Sequence, residues 1–390
     1  MNSWQAIYLD PQRDEESIAS LVFMANLQSQ EATGDAMASI SLAELLTQVA
    51  SGAPMGAPGA PRLNLLALRD TSSFDEAADP EIFEDLGFLV LIEPQEESTE
   101  VLVVEIIPDV AFQPLRPETQ AGKSSSLVAV PTEIPAEILA VYKALIDAAI
   151  NHARRIGRPI LQTSLRHPAG MDIATDINAA IMKYLGWQLV HQELEYYLPL
   201  PADFSTAFRS GISPIDPQVE FIVLEGRWDQ RADLLAGIGK LWEQADLDVP
   251  RGSLAYTPKP WTPQRISRSA DRLAAAGGRS LSVVAWHPTA GPIGISTVSY
   301  AGQGAAPEAL EMGTAIVERN WRNSSLGPFL VARNLDLAPR LTGLAQHRLY
   351  ATAGRAIDDP KPDRFPMENI LRALGAQVLS TESQWQFRLE

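Results

Sequence analysis

The sequence predicts an α/β fold of two tandem domains, each a mixed, mostly antiparallel sheet flanked by helices. Three observations predict it. The 390 residues exceed what a single hydrophobic core ordinarily serves. Two helix-to-strand junctions recur at nearly one spacing: Gly157 in "NHARRIGRPILQTS" with Gly343 in "APRLTGLAQHRLYATA", and Gly186 in "MKYLGWQLV" with Gly375 in "LRALGAQVL". The order of elements is the same in both stretches, β-α-α-β-β-β-α-β-α-β-β. That order is not the strict alternation of a parallel doubly wound sheet.

Taken in turn, "WQAIYL" reads as a strand, "EESIASLVFMANLQ" and "LAELLTQVA" as helices, and "APMGAPGAPR" as a Pro/Gly loop. Strands "LNLLALR", "GFLVLIE" and "EVLVVEII" follow. Apolar residues at Ile138, Val141, Tyr142, Leu145 and Ala149 keep helical spacing and predict a helix over 137–156. Strand "PILQTSL", a helix over 176–185 and strands through "QLVHQELEYYLPL" close the first half. The second half opens with "EFIVLE" and helices near 231–245 and 263–275. Strands "SLSVVAW", "IGISTVSY" and "ALEMGTAIV" come next, then a helix over 328–341. Strand "HRLYATA", a helix over 366–374 and final strands complete it. Turn-rich "LPADFSTAFRSGISPIDPQ" sets the domains at 1–208 and 219–390, with a linker at 209–218.

Composition narrows the function. The formal charge is -17, so a general nucleic-acid surface, which needs a basic face, is not expected. No run approaches the about 20 apolar residues of a membrane helix. The N-terminus lacks a basic region followed by an apolar core, and a cytoplasmic protein is expected. With no cysteine there are no disulfides, thiolate metal sites or cysteine nucleophiles. Five scattered histidines give no metal cluster, and no metal is expected.

The stretch "ERNWRNSSLG", 318–327, gathers cationic and small hydrogen-bonding residues between a strand and a helix of this acidic chain. Two readings stand. Amides at the helix start, a close-approach Gly327, Pro328 at the first helical position and nearby guanidiniums would suit a pyrophosphate. Alternatively, Ser and Asn cap the helix at a surface turn and the arginines are solvated.

This junction and the strand order resemble the GCN5-related N-acetyltransferase (GNAT) superfamily, whose acetyl-CoA loop reads Arg/Gln-x-x-Gly-x-Gly/Ala. Here it reads Arg322, Asn323, Ser324, Ser325, Leu326, Gly327. "AIVERNWRNSSLGPFLVARNLDLA" and "FPMENILRALGAQV" are similar to actinobacterial members. The resemblance implies two tandem GNAT-like domains, acetyl-CoA as donor, and a small-molecule or peptide amine as acceptor attacking the thioester directly. It places the pantetheine arm along Ile316 and Val317 and the pyrophosphate on residues 322–327, at the helix start marked by Pro328. It offers Glu311, His287 and Tyr300 as candidate proton acceptors, each with a plainer reading as an exposed strand or turn residue. Asn334, in step with Leu330, Leu337 and Leu341, reads as a buried amide bonded to backbone.

There are departures. Ser325 replaces the first loop glycine, Gly354 stands where relatives carry asparagine, and Leu371 where many carry the tyrosine that protonates the leaving thiolate. The first half lacks the loop altogether. Its "ETQAGKSSS" fails as a nucleotide-binding P-loop, because Pro117 stands where glycine is required. The first half is therefore expected to be a GNAT-like domain without a cofactor site, packed in a monomer as an internal pseudo-dimer. A catalytically silent protein binding a small molecule, CoA or a protein partner is the alternative.

Overall fold

The computed structural model describes residues 4–36, 39–52, 59–71, 84–114, 134–204, 215–302, 305–322, 325–355 and 366–390. The first half contains β1 (Trp4–Tyr8), α1 (Glu15–Thr33), α2 (Leu42–Gly52), β2 (Arg62–Asp70), β3 (Glu84–Glu93), β4 (Val101–Pro108), α3 (Ala136–Ile156), β5 (Ile160–Pro168), α4 (Ile177–Tyr184) and β6 (Gln188–Leu200). The second contains β7 (Glu220–Gly226), α5 (Leu235–Asp248), α6 (Pro263–Ala275), β8 (Arg279–His287), β9 (Gly291–Tyr300), β10 (Ala309–Val317), α7 (Leu326–Leu337), β11 (His347–Arg355), α8 (Pro366–Ala373) and β12 (Gln377–Arg388). Each half thus ends in one long strand where the sequence suggested two. No glycine or proline falls between Gln188 and Leu198, and burial alternates along most of the strand.

The repeated glycines have a shared physical cause. Gly157 and Gly343 have φ of 71° and 76°, and Gly186 and Gly375 have 88° and 87°. Each ends a helical segment in the left-handed region, where a side chain is strained. The sequence repeat is therefore a repeat of helix stops.

Two compact units are present: residues 1–192, 253–256 and 380–390, and residues 193–252 and 257–379. They do not coincide with successive halves, because β6 and β12 each contribute to both. In the first unit the strand order is β1-β2-β3-β4-β5-β12. Residues 380–388 run antiparallel to β5 from Pro168 back to Ile160. Helices α1 and α2 cover one face with Ile18, Leu21 and Leu45 against Phe88 and Val90. The stripe Val141, Leu145 and Ala149 of α3 packs with Leu102, Leu161 and Trp385 in a separate core.

A buried Asp–His–Ser array fixes the last strand within this unit. His167 Nδ1 lies 2.8 Å from Asp176 and Nε2 2.6 Å from Ser383. Asp176 also accepts the Asn178 amide at the start of α4. All three side chains are closed off from solvent and tie β5, the start of α4 and β12 together. Losing one partner would strand a buried polar group, at about 1–3 kcal/mol.

In the second unit the order is β6-β11-β10-β9-β8-β7. Helix α6 starts as its sequence dictates: Thr262 Oγ1 accepts the Arg265 amide and Pro263 takes the first position. Leu330, Val331 and Leu335 of α7 pack with Leu281, Val283 and Val298 of the sheet. On another face α5 buries Ile238, Leu241 and Trp242 against Val284 and Ile295. Linker residues 209–214 lie outside the described residues, as does the first-half segment 117–126.

Candidate active site

Strand β10 carries two interruptions that open the second unit's sheet. It pairs in parallel with β11 only from Ala309 to Glu311, opposite Arg348 to Tyr350, and the strands then part. On its other side it stays paired with β9, but the register shifts between Met312 and Ala315. This is a β-bulge, which bends a strand and leaves a residue out of the ladder. Thr297 Oγ1 donates to the Thr314 carbonyl at 2.9 Å and steadies it. A Cβ on Gly313 would lie 2.8 Å from that same hydroxyl, so glycine suits the bulge.

Beyond the fork lies a cavity of about 510 Å³. Ala315, Ile316 and Val317 form its strand wall, Leu330 and Val331 of α7 and Met367 and Ile370 of α8 its apolar sides. Its polar end holds Asp248, Trp321, Arg322, Gly327 and Pro328. An apolar trough closed by a few convergent polar groups is the usual make-up of a small-molecule site.

The polar end is organised by Arg322. Its Nε donates to the Val317 carbonyl at 2.9 Å, which fixes the guanidinium against the end of β10. Another of its nitrogens pairs with Asp248, which also takes Arg319 at 2.6 Å. Burial pushes the Asp248 carboxyl up, but the hydrogen bonds and charges of Arg319 and Arg322 outweigh it and hold it below the ordinary range. A pyrophosphate entering here would have to take the guanidiniums from Asp248. Helix α7 begins at Leu326, two residues before the expected start, so Pro328 occupies its third position and not its first. Its missing N–H has no intrahelical partner there either. A Cβ on Gly327 would meet Val317 Cγ2 at 3.7 Å, an ordinary contact. The fold does not require glycine at this position; a ligand approaching backbone would.

Of the residues singled out in the sequence, Ile316, Val317, Arg322, Gly327 and Pro328 line the cavity. Ser325 and Leu326 stand at the start of α7, with Leu326 buried, and Asn323 and Ser324 lie outside the described residues. The three proton-acceptor candidates are dispersed. Glu311 is exposed at the fork, in register with Tyr350. His287 is 7% exposed, within 3.0 Å of Thr289 Oγ1 and packed on Trp321 at 4.9 Å between rings. Tyr300, opposite Arg279 at the end of β9, packs on the core. None of the three lines the cavity; Glu311 stands nearest to it in the chain, four residues before Ala315 on the same strand. Leu371 is fully buried beside Ala351 and Tyr196, so no side-chain hydroxyl comes from that position. Asn334 is buried as expected, but its amide donates to the Ser296 hydroxyl at 3.1 Å and not to backbone. Asp248, Met367, Ile370 and Tyr350 escaped the sequence reading, because their nearness to Arg322 or to the fork exists only in the folded chain.

Among the described residues no group of His, Cys, Asp and Glu side chains could hold a metal ion, and no helix is long and apolar enough to cross a membrane.

No family model matches the chain, and no curated protein matches it. Solved structures do. A tandem GNAT protein from the clavulanic acid biosynthesis pathway is similar with a TM-score of 0.64 and 15% identity, over 99% of this chain and 98% of that one. A GCN5-related N-acetyltransferase from Sphaerobacter thermophilus gives 0.59 and 11%, over 100% and 96%. A GCN5-related glucosamine N-acetyltransferase region of a fungal multi-domain β-N-acetylglucosaminidase gives 0.57 and 10%, over 99% of this chain and 38% of that one. At these identities the likeness is one of fold: the chain has the fold of a tandem GNAT protein.

Proposed function

We propose that the chain is an acyl-CoA-dependent N-acyltransferase whose working site is the cavity of the second unit. One observation carries this reading: the fork and bulge of β10 open an apolar trough that ends at Arg322 and the start of α7. Acetyl-CoA suits these residues part by part. The backbone of Ala315 and Ile316, left without a β11 partner, would lie along the pantetheine amides. Leu330, Val331, Met367 and Ile370 would exclude water from the thioester. Arg319, Arg322 and the first amides of α7 would hold the pyrophosphate.

Acetyl-CoA supplies the activated acyl group. The acceptor is a small-molecule or peptide amine: its ammonium proton leaves first, its C–N bond forms as the C–S bond breaks, and CoA departs as the thiolate, which takes up the second nitrogen proton. Glu311, exposed at the fork, is the candidate to receive that proton, directly or through water. Much of the rate gain would come from positioning. The sequence of the first half has no counterpart of the Arg322–Gly327 loop, and one acyl-CoA per chain is the ratio expected.

A second reading, a protein that binds CoA or another ligand without turnover, has two observations in its favour: the buried Leu371 and the carboxylate of Asp248 on Arg322. The deciding experiment measures release of free CoA thiol from acetyl-CoA on adding a panel of primary amines, in wild type and in Glu311→Gln. Amine-dependent release that the variant loses supports acyl transfer. Tight CoA binding with no release across the panel supports the second reading.

A further inference from the structure

The first unit has its own fork. Strands β4 and β5 pair in parallel only from Val101 to Val103, opposite Ile160 to Gln162. A cavity of about 340 Å³ opens beyond it. Its wall differs in chemistry from that of the second unit. Glu31, Glu105, Arg166 and Glu382 reach it, alongside apolar Ile40 and Leu165. Arg166 is committed within the unit: it donates to Ser29 Oγ at 2.9 Å and stands in register with Glu382. The Glu105 side chain makes no hydrogen bond among the described residues, its backbone being part of the β3–β4 ladder. Its side chain is exposed in the cavity wall, close enough to Arg166 to feel that charge.

We propose that this cavity binds a small organic cation, an aliphatic amine or guanidine, whose charged end pairs with Glu105 and whose chain lies along Ile40 and Leu165. Sign, spacing and size each narrow the ligand. Three carboxylates face one guanidinium, so a polyphosphate would be repelled where a cation is drawn in. The carboxylates are too dispersed to form a metal group among the described residues. The volume is that of a small organic ligand. A carboxylate in a cavity wall is best stabilised by a paired, hydrogen-bonded charge, and an ammonium supplies both. This inference does not depend on acyl transfer in the second unit.

The test is calorimetric titration of the full chain with agmatine and with 1,5-diaminopentane, using 1-pentanol as the uncharged control. Saturable binding of at least one cation at one site per chain is expected, with none for 1-pentanol. Glu105→Gln keeps the shape of the side chain and should weaken binding about tenfold or more. Ser164→Trp, which fills the fork but leaves Glu105, should abolish it. Arg322→Ala, in the other unit, should leave it unchanged. Failure of both cations to bind at millimolar concentration would overturn the proposal. So would equal affinity in wild type and Glu105→Gln, or in wild type and Ser164→Trp.

Discussion

The two forks are the same device finished differently. In both, the fourth and fifth strands of a half hold together for three register pairs and then part. In both, a 3₁₀ turn follows the fourth strand under an acidic cap: Asp109 accepts the Ala111 amide at 2.9 Å, and Glu318 the Asn320 amide at 3.0 Å. Beyond that they diverge. The β3–β4 register runs unbroken from Gly87–Pro108 to Ile92–Val103, whereas β10 bulges between Met312 and Ala315. Residues 318–325 link β10 to its helix, but 109–135 are needed between β4 and α3. Glu105 and Arg166 reach the first cavity; Ile316, Leu330 and Met367 line the second. The fold supplies an opening in each half, and the residues that line the two openings differ in chemistry.

That contrast can be broken at several points, and the largest effect belongs to Gly327. A glutamate there places a carboxylate where the phosphates are expected, and CoA binding should fall below detection in a titration. The ordinary Cβ environment means that the thermal unfolding temperature should hardly change. Glu311→Gln should lower turnover about 100-fold or more with CoA affinity unchanged, the signature of a group acting on the proton and not on the donor. Arg322→Ala should weaken CoA about tenfold or more, as the loss of a charge-assisted contact. Asp248→Asn works in the opposite direction. By freeing Arg319 and Arg322 it should tighten CoA about tenfold, and an unchanged affinity would mean that the ion pair is no competitor.

The smallest effect concerns stability, with one histidine in each unit. Burial lowers the imidazoles of His152 and His347 below the ordinary value, against the opposing pull of Glu93 and Glu308. Both resist protonation when folded, while the unfolded chain takes up protons below about pH 6.5. Stability is therefore flat above that range and falls as the pH drops through it. The urea midpoint should move down between pH 7.5 and 5.5, and His152→Gln with His347→Gln should flatten the change.

Much of this was legible in the sequence for a physical reason. Helix stops need glycine, so Gly157, Gly186, Gly343 and Gly375 announced the repeat. Amphipathic spacing placed α3 within a residue of its observed start, and the helix expected over 263–275 is α6. Contacts that close through space were not legible. Asp248 reaches Arg322 from the far end of α5, and nothing in either stretch names the other. The bulge has a weak signal in Gly313, one glycine among many. Single long strands at 188–200 and 377–388 were divided because polar residues interrupt their apolar runs. The boundary near 209 followed the turn-rich segment, whereas the first compact unit ends at 192 and also takes in 253–256 and 380–390.

Whether one fork receives the acyl donor and the other does not is decided by a count of ligands. Calorimetric titration of the purified chain with acetyl-CoA would measure it directly. Saturation at one acetyl-CoA per chain, lost in Gly327→Glu, is the result expected. Saturation at two per chain, or at one that survives Gly327→Glu, would contradict it.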